Sequence, residues 1–159
     1  MRRKERERLE PEFMELVFNK SEEMCLAMLD DGWPYALYVN FAKSDNFLYI
    51  HCAPEGHKLD CIRKNPKIAF TLACDTKIDR ENFTTYYKSV CGRGLATIVE
   101  NKDEKARALE LIGKRYKSLC PPPNDAMTSR LSIIRIEITE LTGKQSKGKY
   151  ASTDAVNGQ

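Results

Sequence analysis

Asp31-Gly32 sits between the apolar runs MCLAML and YALYVNFA. A two-residue turn of this composition supplies the positive φ angles of a tight hairpin, so it commits both flanking runs to one antiparallel pair. A second pair is expected at once, because YALYVNFA is followed by the polar turn KSDN and then FLYIHCA. Three such strands in succession predict a meander.

Further along, the period alternates between helix and strand. Pro11–Asn19 places Phe13, Leu16 and Val17 at helical spacing with proline in the first turn. Glu55–Lys64 places Leu59 and Ile62 on one side, and Asn65-Pro66 ends it as a helix stop does. KIAFTLAC is strand-like up to Asp75, a turn is expected over Asp79–Asn82, and TTYYKSVCGRGLATIVE reads as a long strand. Gly92 and Gly94 mark a bulge or bend in it. Lys102–Tyr116 is a helix with Ala106, Leu109, Ile112 and Gly113 inward, Pro121, Pro122 and Pro123 break the chain, and LSIIRIEITELTG is the last strand. Six strands with few helices between them predict a mainly β fold, a small six-stranded antiparallel barrel with peripheral helices. A doubly wound sheet needs a helix between nearly every pair of strands.

The chain's 159 residues suffice for one domain, assigned to 1–145 and followed by a polar, flexible tail over 146–159. No apolar run is long enough to span a bilayer, and MRRKERERLEPEF has no apolar h-region, so a cytoplasmic location is expected. The five basic residues in the first ten are interleaved with Glu5, Glu7 and Glu10, which predicts a solvated, partly helical lead-in and no nucleic-acid partner. The six cysteines include no CxxC, and the nearest two, Cys52 and Cys61, are nine residues apart. They are expected to pack as small hydrophobes, and a zinc site is disfavoured.

Chemistry concentrates in YIHCAPEGHKLDCIRKNP, residues 49–66. A strand passes Pro54 and Gly56 and opens a helix with Lys58 in its first turn, where free N–H groups, the dipole and an ammonium attract an anion. The same junction also occurs as an ordinary connection. His51, on the strand before it, reads as a core histidine or as a site residue.

HCAPEGHKLDCIRKNP resembles the H-S-A-x-E-G-x-K-L-D-x-(I/L)-R-x-N-P signature of the nitroimidazole-resistance branch of the pyridoxamine 5'-phosphate oxidase-related flavoproteins. MRRKERE, GWPYALYVNF, YYKSVCGRGLATIVE and ITELTGK match further segments in order, so the resemblance covers most of residues 1–145. It implies a six-stranded FMN-binding split barrel, a homodimer with FMN at the subunit interface, and reduction of a small electron-poor substrate such as a nitroimidazole. Residue by residue, it implies that Lys58 holds the phosphate. His51, Cys52 and Ala53 would line the flavin, Tyr38, Val39 and Asn40 would face the ring or ribityl chain, and Ser89 and Val90 would complete the pocket, from the other subunit if not from the same one. His51 is implied as the catalytic residue, positioning substrate or donating a proton. Cys52 stands where the family has serine, His57 where arginine or lysine is usual, and Tyr38 where proline is frequent. Two other roles stay open: a non-catalytic flavin- or haem-binding or sensing dimer with His51 as an axial ligand, and pyridoxamine 5'-phosphate oxidation. The second lacks the R-x-H segment that enzyme carries near its C-terminus, since after Ile138 the chain reads TELTGKQSKGKY.

Overall fold

The computed structural model describes residues 3–116 and 123–146. In chain order it has a 3-10 turn (Lys4–Arg6), β1 (Glu7–Arg8), α1 (Pro11–Lys20), β2 (Glu23–Asp30), β3 (Trp33–Asn40), β4 (Ala42–Ser44) and β5 (Phe47–Cys52). There follow α2 (His57–Lys64), β6 (Lys67–Asp79), β7 (Thr84–Val99), α3 (Lys102–Tyr116), α4 (Asp125–Arg130) and β8 (Ser132–Gln145). All strand pairs are antiparallel, in the order β3-β2-β6-β7-β8-β5-β4, with β1 also on β8. The sheet curls into a split barrel, and β3 comes beside β5 without a shared ladder.

The first hairpin is as expected. β2 and β3 pair from Glu23↔Asn40 to Asp30↔Trp33, and Asp31 and Gly32 close the turn at φ 47° and 89°. Two positive φ values match the strand twist. Pro34 costs no ladder bond here, because β3 ends the sheet path.

The sheet has eight strands, not six, and the meander does not form. β3 stops at Asn40, a separate β4 pairs with β5, and β5 pairs on its other side with β8. The cause lies at Phe41, buried in the barrel interior, while its neighbour Ala42 is buried under α3. With both faces covered, the Phe41 backbone takes its bonds from a side chain: its N–H donates to the Tyr116 hydroxyl at 3.1 Å, and that hydroxyl lies 3.0 Å from its carbonyl. Arg115 beside it donates to the carbonyls of Phe18, at 2.7 Å, and Ser21, with its guanidinium 4.5 Å from the Phe41 ring centroid. The end of α3 thus ties α1 to the β3–β4 break. Arg115→Ala is expected to cost about 2–3 kcal/mol, from two charge-assisted bonds to part-buried carbonyls, read as a lower urea midpoint.

The second extra strand is β1. The lead-in ends as Glu7↔Lys144 and Arg8↔Gly143, and Gly143 is required there because a Cβ would lie 2.5 Å from the Arg8 carbonyl oxygen. β6 runs past Asp75 to Asp79, through a bulge between Cys74 and Lys77. Asp75 sits in this bulge at φ 52° and pairs with Lys88 and Lys20, which hold its carboxyl below the usual 3.8.

The barrel interior is filled by side chains that include Phe18, Leu26, Phe70, Val90, Ile134 and Ile136. A second, smaller cluster joins Ala108, Leu109 and Ile112 of α3 to Ala42, Val99 and Ile133, so Ala108 is buried and the expected Ala106 and Gly113 are only half-buried. On α1, Met14, Val17 and Phe18 form the buried face, while Phe13 and Leu16 are half-buried. The expected bend at Gly92 and Gly94 is a register shift between Arg93 and Gly94, with Thr139 as the extra residue on β8. Ser146 belongs with the barrel, since its hydroxyl accepts from the Tyr87 N–H at 2.7 Å. The rest of the expected tail, 147–159, lies outside the described residues, as do Cys120, Pro121 and Pro122. No helix among the described residues is long and apolar enough to cross a membrane.

Candidate functional site

The junction between β5 and α2 is built from Gly56. Its φ of 138° and ψ of 162° are open to glycine alone, and they swing the chain from the strand into the first helical turn. No side chain caps this helix, and the Gly56 carbonyl already accepts from Leu59 and Asp60. The leading N–H groups of α2, on His57 and Lys58, therefore lie outside the intrahelical ladder and are free for an external acceptor.

Lys58 adds a full charge to this end. Its ammonium acts on both His51 and Cys52 on β5. Burial first, and then Lys58, hold His51 below its ordinary 6.5, so the ring is neutral at pH 7. Burial pushes the Cys52 thiol above 9.0 despite the opposing pull of Lys58. The Lys58 charge that disfavours a protonated His51 favours a bound anion at the same place. His51 should therefore titrate below 6.5 by ring-proton NMR. Its folded value being the lower one, it favours the folded state at higher pH, and that contribution is lost as pH falls below 6.5.

The predicted residues fall into groups. His51, Cys52, Ala53 and Lys58 stand together at the junction, with Ala53 exposed and Cys52 and Lys58 half-buried. Tyr38 and Asn40 lie on the outer face of β3, Tyr38 with 70% of its surface exposed. The side chains of Val39 and Val90 point into the barrel core, so only their backbone can meet a ligand. Ser89 is not brought to the junction within one chain. It is level with Lys144 on β8, whereas His51 is level with Ile133 and, across it, Val99. Ten residues of β7 separate the two levels, about 33 Å of extended strand.

Outside the barrel, a concavity of about 380 Å³ is floored by small side chains of four neighbouring strands, Cys25, Ala27, Ala69, Thr71, Cys91 and Thr142. The row Tyr38–Cys25–Thr71–Cys91–Thr142 runs straight across it. Large apolar side chains are exposed at the β2–β3 and β6–β7 turns, Trp33 at 78% and Phe83 at 97%.

A second set of side chains beside the junction was not anticipated. His57 Nε2 lies 2.9 Å from Asp30 Oδ2 and 3.7 Å from the Cys61 sulfur, and the Tyr35 ring packs edge-on to the imidazole at 4.9 Å. The i, i+4 spacing of His57 and Cys61 on a helix was a readable signal, but their meeting with Asp30 was not.

The donors at the junction fit a phosphate, while the Cys91–Thr142 row of the small-residue face lies eight residues of β7 away from the level of His51. Comparison with known proteins bears on the fold and the family. The family model described as pyridoxamine 5'-phosphate oxidase matches residues 14–145. A candidate 5-nitroimidazole antibiotic resistance protein from Bacteroides thetaiotaomicron VPI-5482 is similar in structure, with a TM-score of 0.80 and 22% identity over 87% of this chain and 86% of that one. A FAD and heme binding protein from Mycobacterium smegmatis gives a TM-score of 0.79 and 15% identity over 90% and 74% of the two chains. A FAD-binding protein from Mesorhizobium loti gives 0.66 and 22% over 87% and 96%. No curated protein matches the sequence.

Proposed function

We propose, from the premise that this chain belongs to the pyridoxamine 5'-phosphate oxidase family, that it is a homodimeric FMN-dependent oxidoreductase acting on a small electron-poor substrate such as a nitroimidazole. The observation that carries the reading is the uncapped first turn of α2, with Lys58 beside it and His51 and Cys52 facing the same end. A terminal phosphate satisfies the free N–H groups and the ammonium together. FMN supplies the redox chemistry when bound, and the protein supplies binding, orientation and exclusion of water.

This chain's own parts then divide the work. Lys58 and the α2 N–H groups fix the phosphate end. His51, neutral at pH 7, offers a ring N–H donor and a lone pair to a substrate group without adding charge. Cys52, held as a thiol, adds a small wall and a weak donor. Dimerisation is supported by three features. The packed interior leaves no room for a cofactor inside, Ser89 lies too far from the junction to act on it within its own chain, and Trp33 and Phe83 are uncovered. A second copy, laid across the outer face, brings Ser89 and the Val90 backbone to the other chain's junction.

The activity is tested with FMN-loaded protein and a chemical reductant under anaerobic conditions. Consumption of a 5-nitroimidazole is expected, with a slower rate for His51→Gln. No consumption above that of free FMN would overturn the catalytic part of the reading. A haem-binding role is favoured by the likeness to the FAD and heme binding protein and by the neutral imidazole of His51, the form that ligates a metal. A Soret band on adding haem that is lost in His51→Gln would assign that role instead.

A further inference from the structure

We infer that Asp30, His57 and Cys61 form a binding site for a borderline-soft divalent metal ion of the zinc class, tying the end of the first hairpin to the start of α2. The site stands apart from the flavin reading and does not depend on it.

Three ligand types converge from two elements. His57 and Cys61, one helical turn apart, share a face of α2, and Asp30 is the last residue of β2 before the hairpin turn. One oxygen, one nitrogen and one sulfur lie within 4.8 Å of one another. Zinc bonds of about 2.0 Å to nitrogen and oxygen and 2.3 Å to sulfur, at tetrahedral angles, place such atoms about 3.3–3.6 Å apart. The observed 2.9 Å and 3.7 Å need movements of a few tenths of an ångström, and the Asp30 oxygen and Cys61 sulfur, within 4.8 Å of each other, close by rotation of the partly exposed Asp30 side chain.

Two other assignments for these groups fit less well. A nucleophile–base–acid triad uses both imidazole nitrogens, one toward the nucleophile and one toward the carboxylate. Here both contacts are at Nε2, the convergence a shared cation produces. A plain ion pair explains Asp30 and His57 but not the sulfur. The charge also balances. The Asp30 carboxylate and a Cys61 thiolate neutralise a divalent ion, and the other charges that act on Cys61 are paired, Asp31 with Lys64 at 3.0 Å and Asp60 with Arg63 at 2.9 Å.

The sulfur is buried at 1% exposure while the His57 side chain is 53% exposed, so the fourth position faces solvent and takes a water. Coordination releases the thiol proton to solvent, one per ion bound. Because His57 opens α2, an ion here also fixes the helix turn that carries Lys58.

The test is cobalt(II) and zinc binding to the full chain, reduced with a phosphine that does not chelate. One cobalt per chain is expected, with thiolate-to-cobalt charge transfer and tetrahedral d–d bands, and zinc should displace it. His57→Ala and Asp30→Asn, both at partly exposed positions, should weaken zinc at least tenfold against a chromophoric chelator, as should Cys61→Ser. Cys91→Ser, at an exposed thiol away from the site, should not. Absence of the charge-transfer band, or zinc affinity that survives His57→Ala and Asp30→Asn, would overturn the assignment.

Discussion

Lys58→Ala is expected to weaken FMN binding by about 10- to 100-fold and to leave riboflavin binding unchanged. One charge-assisted contact to a phosphate contributes about 1.5–3 kcal/mol, and the factor follows from that range. Riboflavin carries the same ring and ribityl chain without the phosphate, so it isolates what Lys58 contributes. The side chain is half-buried at the start of α2 and makes no bond that holds the helix, so the thermal midpoint should stay within about 2 °C. Equal losses for both flavins would mean that Lys58 acts on the ring or on the fold, and the phosphate assignment would fail.

Gly94→Ala should cost about 3 kcal/mol, the largest loss of stability expected from a single methyl here. A Cβ at Gly94 lies 2.5 Å from the Glu137 carbonyl oxygen and 2.7 Å from an Ile136 methyl carbon, on the bulged strand paired to it. Neither obstacle can rotate away, since one is backbone in a ladder and the other is buried in the barrel. Gly92→Ala makes an instructive partner. Its Cβ meets the Phe70 ring at 2.2 Å, a side chain, so Phe70→Leu should recover part of the loss at position 92 and none at position 94. Urea unfolding of the three single variants and the two double variants reads this directly. Full tolerance of Gly94→Ala would place the β7–β8 register elsewhere.

These two predictions bracket what the sequence makes legible. Local chemistry was readable: Asp31-Gly32 specifies its own turn, and Gly56 with Lys58 marks the helix start without reference to distant residues. What depended on long-range contact was not. β3 ends at Asn40 because Tyr116, 75 residues away, satisfies the Phe41 backbone, and nothing near Phe41 signals that. β1 exists because Gly143 lets Arg8 approach. The same limit applies at the site. Lys58, His51 and Cys52 are near in sequence and meet at the junction, whereas Asp30 reaches His57 across 27 residues with no local signal of the contact. Val39 and Val90 were named from a motif, and the alternation that turns them into the core shows only when the strand register is known.

In the function proposed for this chain, the β5–α2 junction binds a flavin phosphate. Fluorescence titration of purified, flavin-stripped protein with FMN, with the mass of the complex measured in parallel, tests it most directly. One FMN per chain on a dimer is expected, with an affinity for FMN at least tenfold above that for riboflavin. A chain that takes up no FMN, or binds FMN and riboflavin equally, would contradict it.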